Sequence, residues 1–188
     1  MKKISLILTL ALVVTLLAGC GSSAGDPDTT VQATIQPLQG EPLPVDTTDM
    51  TSYDLACGLS LYGPSGMKEE EIDGLAAYLN NGFFLIMIIQ EPREGTLLAE
   101  KDLQGYADLL TESNGIPACQ MDIYGSLATS YLADAISGDD AFYYYMTVKE
   151  TADSFWLVQI ACPDYMAAKY ADSMARWSAT ITPTAAEE

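Results

Sequence analysis

Apolar and polar positions alternate along some stretches of this chain and recur at helical spacing along others, and each change of period marks an element. Residues 53–61 alternate, with Leu55, Cys57, Leu59 and Leu61 on one side and Asp54, Ala56, Gly58 and Ser60 on the other. Period two predicts a half-buried strand. Gly63-Pro64-Ser65-Gly66 reads as a turn, and a short strand around 75–79 runs into Asn80-Asn81-Gly82, a strong hairpin signal. Residues 83–89, FFLIMII, are apolar throughout, the pattern of a central strand covered on both faces. Leu103, Tyr106, Ala107 and Leu110 then fall at i, i+3, i+4 and i+7, which predicts a helix over 101–113, ended by Asn114-Gly115 and Pro117. Strands follow at 119–123, where Cys119, Met121 and Ile123 share a face, and at 127–134. The strongest strand pair is 141–149 with 154–162, and in the second Trp156, Val158, Ile160 and Cys162 point one way. A last helix is predicted to begin at Pro163, a favoured first position, with Asp164 suited to its positive end. Met166, Tyr170, Met174 and Trp177 would be its buried stripe. The order of strands, helix, strands, helix implies an α+β fold with an antiparallel sheet.

The two ends have a different character. Met1-Lys2-Lys3 followed by the uncharged run ISLILTLALVVTLLA has the layout of an export signal and falls short of a comfortable membrane span. It ends in Leu17-Ala18-Gly19-Cys20, which resembles a bacterial lipobox. That resemblance implies removal of residues 1–19 and lipidation of Cys20, so that the chain is held at the extracytoplasmic face of a cell membrane by its acyl groups. Residues 20–52 carry Pro27, Pro37, Pro42 and Pro44 among Gly, Ser and Thr, and no aromatic residue. They predict a disordered stalk, about 30 Å long as a coil and about 100 Å fully extended. Residues 53–182 then form the folded domain, and 183–188 form a loose tail.

Charge narrows the function. The chain has 26 Asp+Glu, 8 Lys+Arg and no His, for a net charge of −18 over 188 residues. Removing residues 1–19 takes away two lysines and no acid, which lowers the charge to −20. Nucleic acid is excluded as a partner by the lack of basic surplus. The absence of His rules out His-based triads, Cys–His pairs and imidazole metal sites. No GxSxG, SxxK, HExxH or GxxxxGK[ST] motif is present. With Cys20 set aside, Cys57, Cys119 and Cys162 leave three readings: buried small hydrophobes, one disulfide with a leftover thiol, or a nucleophile or three-thiolate metal site, which no His or CxxC supports. The run Glu69-Glu70-Glu71-Ile72-Asp73 lacks calcium-loop spacing and suits a solvated sheet edge, and Asp139-Asp140 suits a turn. Phe142, Tyr143, Tyr144, Tyr145, Phe155 and Trp156 fall on adjacent strands. Tyrosine serves both sheet packing and binding surfaces, and Tyr143 and Tyr145 are the candidates for a binding face.

The run 155–163, FWLVQIACP, with the helix that follows to Trp177, resembles bacterial lipoproteins of a PsbP-like group. Residues 141–148, AFYYYMTV, and Gly63-Pro64-Ser65-Gly66-Met67 before a hairpin share that resemblance. It covers about residues 53–182 and rests on core pattern. It implies an antiparallel sheet packed between helices and an accessory, binding role without catalysis, and no metal or cofactor is expected. The resulting expectation is a cell-envelope lipoprotein, anchored through Cys20, that binds an envelope protein. The alternative is a lipoprotein that binds small solutes or divalent cations.

Overall fold

A computed structural model describes residues 35–134 and 141–183. The expected alternating strand at 53–61 is a hairpin: β1 (Thr51–Asp54) pairs antiparallel with β2 (Leu59–Gly63). Gly58 takes φ +84°, a left-handed conformation that favours glycine, and its N–H bonds back to the Leu55 carbonyl. The alternation survived in the sequence because Leu55, Leu59 and Leu61 all face the core across the turn. β3 (Lys68–Glu69) and β4 (Ala77–Asn80) follow, then β5 (Leu85–Pro92). The β4–β5 turn behaves as expected. Asn80 Oδ1 accepts from Gly82 N at 2.6 Å, and Asn81 Oδ1 accepts from Phe83 N and Phe84 N.

Helix α1 (Leu103–Asn114) begins where Asp102 Oδ1 accepts the Gly105 N–H at 2.7 Å and stops at Gly115, φ +63°. β6 (Gln120–Met121) is shorter than expected, and Met121 is exposed rather than sharing a buried face with Cys119. β7 (Leu127–Asp134), β8 (Ala141–Glu150) and β9 (Ser154–Pro163) are the long strands. Pro163 ends β9 instead of opening a helix. One 3-10 turn, Asp164–Met166, leads into helix α2 (Ala167–Ala179), and β10 (Thr182–Pro183) closes the described chain.

Seven strands form one antiparallel sheet in the order β3-β4-β5-β9-β8-β7-β6, and β1, β2 and β10 form a second, smaller sheet. α2 and the small sheet pack on one face of the large sheet, and α1 packs on the other. Strand parity sorts the core accordingly. Ile86, Ile88, Trp156, Val158 and Ile160 pack with Met174 and Trp177 of α2, while Ile89, Val148, Phe155 and Leu157 pack with Tyr106 and Ala107 of α1. Phe84 meets Tyr170 and Trp177 edge-to-face, each at 5.0 Å, and pins α2 to the β4–β5 turn. Among the described residues these are α+β elements with antiparallel sheets and two helices, as expected.

The domain is larger than 53–182. Ile35 is buried in the α2-side core, and Leu38 N and Leu43 N donate to the carbonyls of Met121 and Ile123 at 2.9 and 2.8 Å. Residues 35–50, expected in the stalk, therefore lie as a strap along the β6 end of the sheet. The prolines do not prevent this, because the non-proline residues between them supply the donors. Pro183, expected in the loose tail, pairs with Leu59 across β10 and β2. Cys20, with Leu17, Ala18 and Gly19 of the expected lipobox, and the rest of residues 1–34 and 184–188 lie outside the described residues. Asp139-Asp140 does too.

Candidate functional site

Strand β8 decides which aromatics can meet a partner. Tyr143 and Tyr145 point toward α2 and are 1% and 2% exposed, so they are core residues and not the exposed binding face expected of them. α2 and the strap cover that side of β8. The Tyr145 hydroxyl donates a hydrogen bond to Asp122 Oδ2, and Asp122 Oδ1 accepts from Tyr124 N and Ser126 N at 2.9 and 2.8 Å. This buried carboxylate organises the β6–β7 turn. Burial and the adjacent Asp122 charge push the Tyr145 phenol far above its usual range. Gly125 at φ +79° completes the turn, and a Cβ there would stand 2.9 Å from Pro42 of the strap. Above the two tyrosines lies a small cleft of about 240 Å³ bounded by Ile35, Asp122, Ala171 and Ala175.

The opposite parity of β8 tells a different story. Phe142 and Tyr144 face the α1 side but lie beyond the end that α1 covers, and both are half-buried. Tyr144 stacks on Tyr131 of β7 at 5.2 Å with planes 8° apart, and Phe142 lies 6.5 Å from Tyr144. Gln159 Nε2 donates to the Tyr131 hydroxyl at 2.8 Å, which sets the ring in place. Met87 and Leu85, also half-buried, continue this surface across β5. Sequence alternation identified two aromatic faces of β8 and could not say which one a helix would leave uncovered.

A second cleft, about 350 Å³, lies at the other end of β8. Leu59, Leu103, Met121, Trp156 and Ile181 supply apolar walls, and Lys149 is its cation. Burial depresses the Lys149 pKa, with Asp122 opposing that effect. Glu150, also on this cleft, is held by Arg93 at 3.2 Å, and Arg93 in turn lies over the Phe155 ring at 4.5 Å. Sequence reading did not single out Lys149, since a lysine ending a strand carries no local signal.

One buried carboxylate, Glu91, stands apart from these clefts. Glu91 is 9% exposed, and burial raises its pKa. It sits beside the Tyr106 hydroxyl, which has no well-formed hydrogen bond, and Tyr106 stacks on Phe155 at 4.5 Å. Glu91 lines none of the clefts described here. Residues 69–73 are all exposed, and no group of three or more potential metal-ligating side chains occurs among the described residues.

Cys57, Cys119 and Cys162 are free thiols, so no disulfide joins them. Cys162 packs against Met174 on the α2 side, Cys119 is buried on the α1 side, and Cys57 sits half-buried in the β1–β2 turn rather than on a strand. The sheet itself separates Cys119 from the other two. Burial pushes the Cys119 and Cys162 thiols up to about 12 and about 11. At neutral pH both are protonated and unreactive. Among the described residues no helix is long and apolar enough to cross a membrane.

No family model matches this chain, and no curated protein matches it. Solved structures do. A protein of Bacteroides thetaiotaomicron is 14% identical with a TM-score of 0.51, over 75% of this chain and 51% of that one. This chain thus spans about half the length of that protein. Cyanobacterial PsbP from Synechocystis is 9% identical with a TM-score of 0.44, over 77% of this chain and 98% of that one. The Ran-binding protein Mog1p of Saccharomyces cerevisiae is 11% identical with a TM-score of 0.45, over 74% and 96%. At such identities the similarity is one of fold.

Proposed function

We propose that this protein is a lipid-anchored, non-enzymatic binding module of the cell envelope, held at the extracytoplasmic face of the membrane through Cys20. The part of the β7–β8–β9 face that α1 leaves uncovered is its contact surface for a protein partner. One observation carries this reading: the aromatic row Phe142, Tyr144 and Tyr131 is ordered by stacking and by Gln159, yet remains half-open. Pre-positioned aromatic rings with polar tips lose little entropy on binding and contribute heavily to interface energy. The remaining tether, from Cys20 to the strap, would hold the domain near the bilayer and raise its effective concentration there. The strongly acidic surface keeps the domain off anionic headgroups.

The experiment is site-specific photocrosslinking in native membranes, with a crosslinking residue at 144 or, as a control, at Tyr165, which is 77% exposed after β9. The expected outcome is one partner captured from 144 and not from 165, and loss of membrane retention in Cys20→Ser. Equal capture from both positions, or none from 144 with the anchor intact, would overturn the reading.

A further inference from the structure

We propose that the cleft around Lys149 is a binding site for a small molecule with an apolar body and a single carboxylate. It lies at the opposite end of β8 from Phe142, so it is independent of the contact surface above. Its walls are Leu59, Leu103, Met121, Trp156 and Ile181, in a volume of about 350 Å³. The indole N–H of Trp156 is directed to Thr151 Oγ1 at 3.3 Å, which leaves the rest of the ring as apolar wall.

The charges argue for the class of ligand. Lys149 makes no ion pair among the described residues, whereas the acids near it are engaged. Glu150 is bonded to Arg93, and Asp122 accepts from Tyr145, Tyr124 and Ser126. An ammonium in a partly dry cleft has lost water, and the charge of Asp122, itself bonded to Tyr145, Tyr124 and Ser126, offsets that loss only in part. A carboxylate would return that loss as a charge-assisted hydrogen bond. One ammonium, with the Arg93 guanidinium committed to Glu150 and outside the lining of the cleft, suits a monoanion better than a phosphate. The net charge of −18 also opposes multiply charged anions. The apolar walls select the rest of the ligand by burial.

The probe is 4-phenylbutyrate, compared with its neutral amide, titrated into the purified full chain. Calorimetry gives affinity, and the two indole N–H resonances, from Trp156 and Trp177, give position. The acid is expected to saturate and to shift the Trp156 resonance alone, with the amide binding about tenfold or more weaker. Lys149→Met should remove that advantage of acid over amide while leaving amide binding unchanged. No Trp156 shift at about 10 mM acid, or equal binding of acid and amide to the wild type, overturns the proposal even if the variant fails to fold. Equal acid binding by a folded Lys149→Met variant does so as well. A failed crosslink from position 144 leaves this result untouched.

Discussion

Tyr143 and Tyr144 are neighbours in one strand, alike in chemistry, and separated only by the pleat. Tyr143 points toward α2, which with the small sheet and the strap closes a core of 22 buried residues among those described. Tyr144 lies on the α1 side, where a core of 11 described residues leaves the end of the sheet open. A sheet with two apolar faces needs cover on both, and here one face is covered less completely. The difference teaches that a run such as FYYYM carries two surfaces, and that the elements packed on each face decide which is core and which is available.

The largest expected effect comes from emptying the covered side. Tyr143→Ala should cost about 3–5 kcal/mol, since a large ring leaves a site that cannot collapse. Tyr144→Ala should cost about 1 kcal/mol. Urea unfolding of both variants checks this, and equal losses would mean that the two faces are equally closed. Next is Tyr145→Phe, which keeps the ring and removes the hydroxyl donor to Asp122. A hydrogen bond to a buried charged group is worth about 1.5–3 kcal/mol, so the midpoint should fall without a change in the denaturant slope.

The smallest effect probes the α1 side, where burial raises the Glu91 pKa above its unfolded value. A carboxyl with a raised folded pKa favours folding fully below its unfolded pKa, and that contribution is lost as pH rises through the folded pKa. Glu91→Gln should therefore raise the melting temperature at pH 7, and the gain should vanish once the pH falls below the ordinary carboxylate range. A gain that persists in acid would mean that the charge of Glu91 is not what strains this core.

Local signals and tertiary decisions separate cleanly in this protein. Periodicity and turn chemistry placed α1 with its Gly115 stop, the Asn80-Asn81-Gly82 turn, and the pairing of β8 with β9, because each depends on residues within a few positions of one another. Alternation could not show that Gly58 folds residues 53–61 back on themselves, since both arms bury their leucines on one side. Nor could composition show that residues 35–50 lie on the domain, because their anchors are carbonyls of Met121 and Ile123 far along the chain. The same holds for the sites. The resemblance of Leu17-Ala18-Gly19-Cys20 to a lipobox is legible as a short motif. The faces of β8, the isolation of Cys119 from Cys57 and Cys162, and the cleft at Lys149 exist only once helices and strands distant in sequence come together. The sequence by itself determined the α+β class and the alternation of each strand, through local sterics and hydrophobic period. The tertiary structure alone decided exposure, because exposure belongs to what packs against a residue and not to the residue itself.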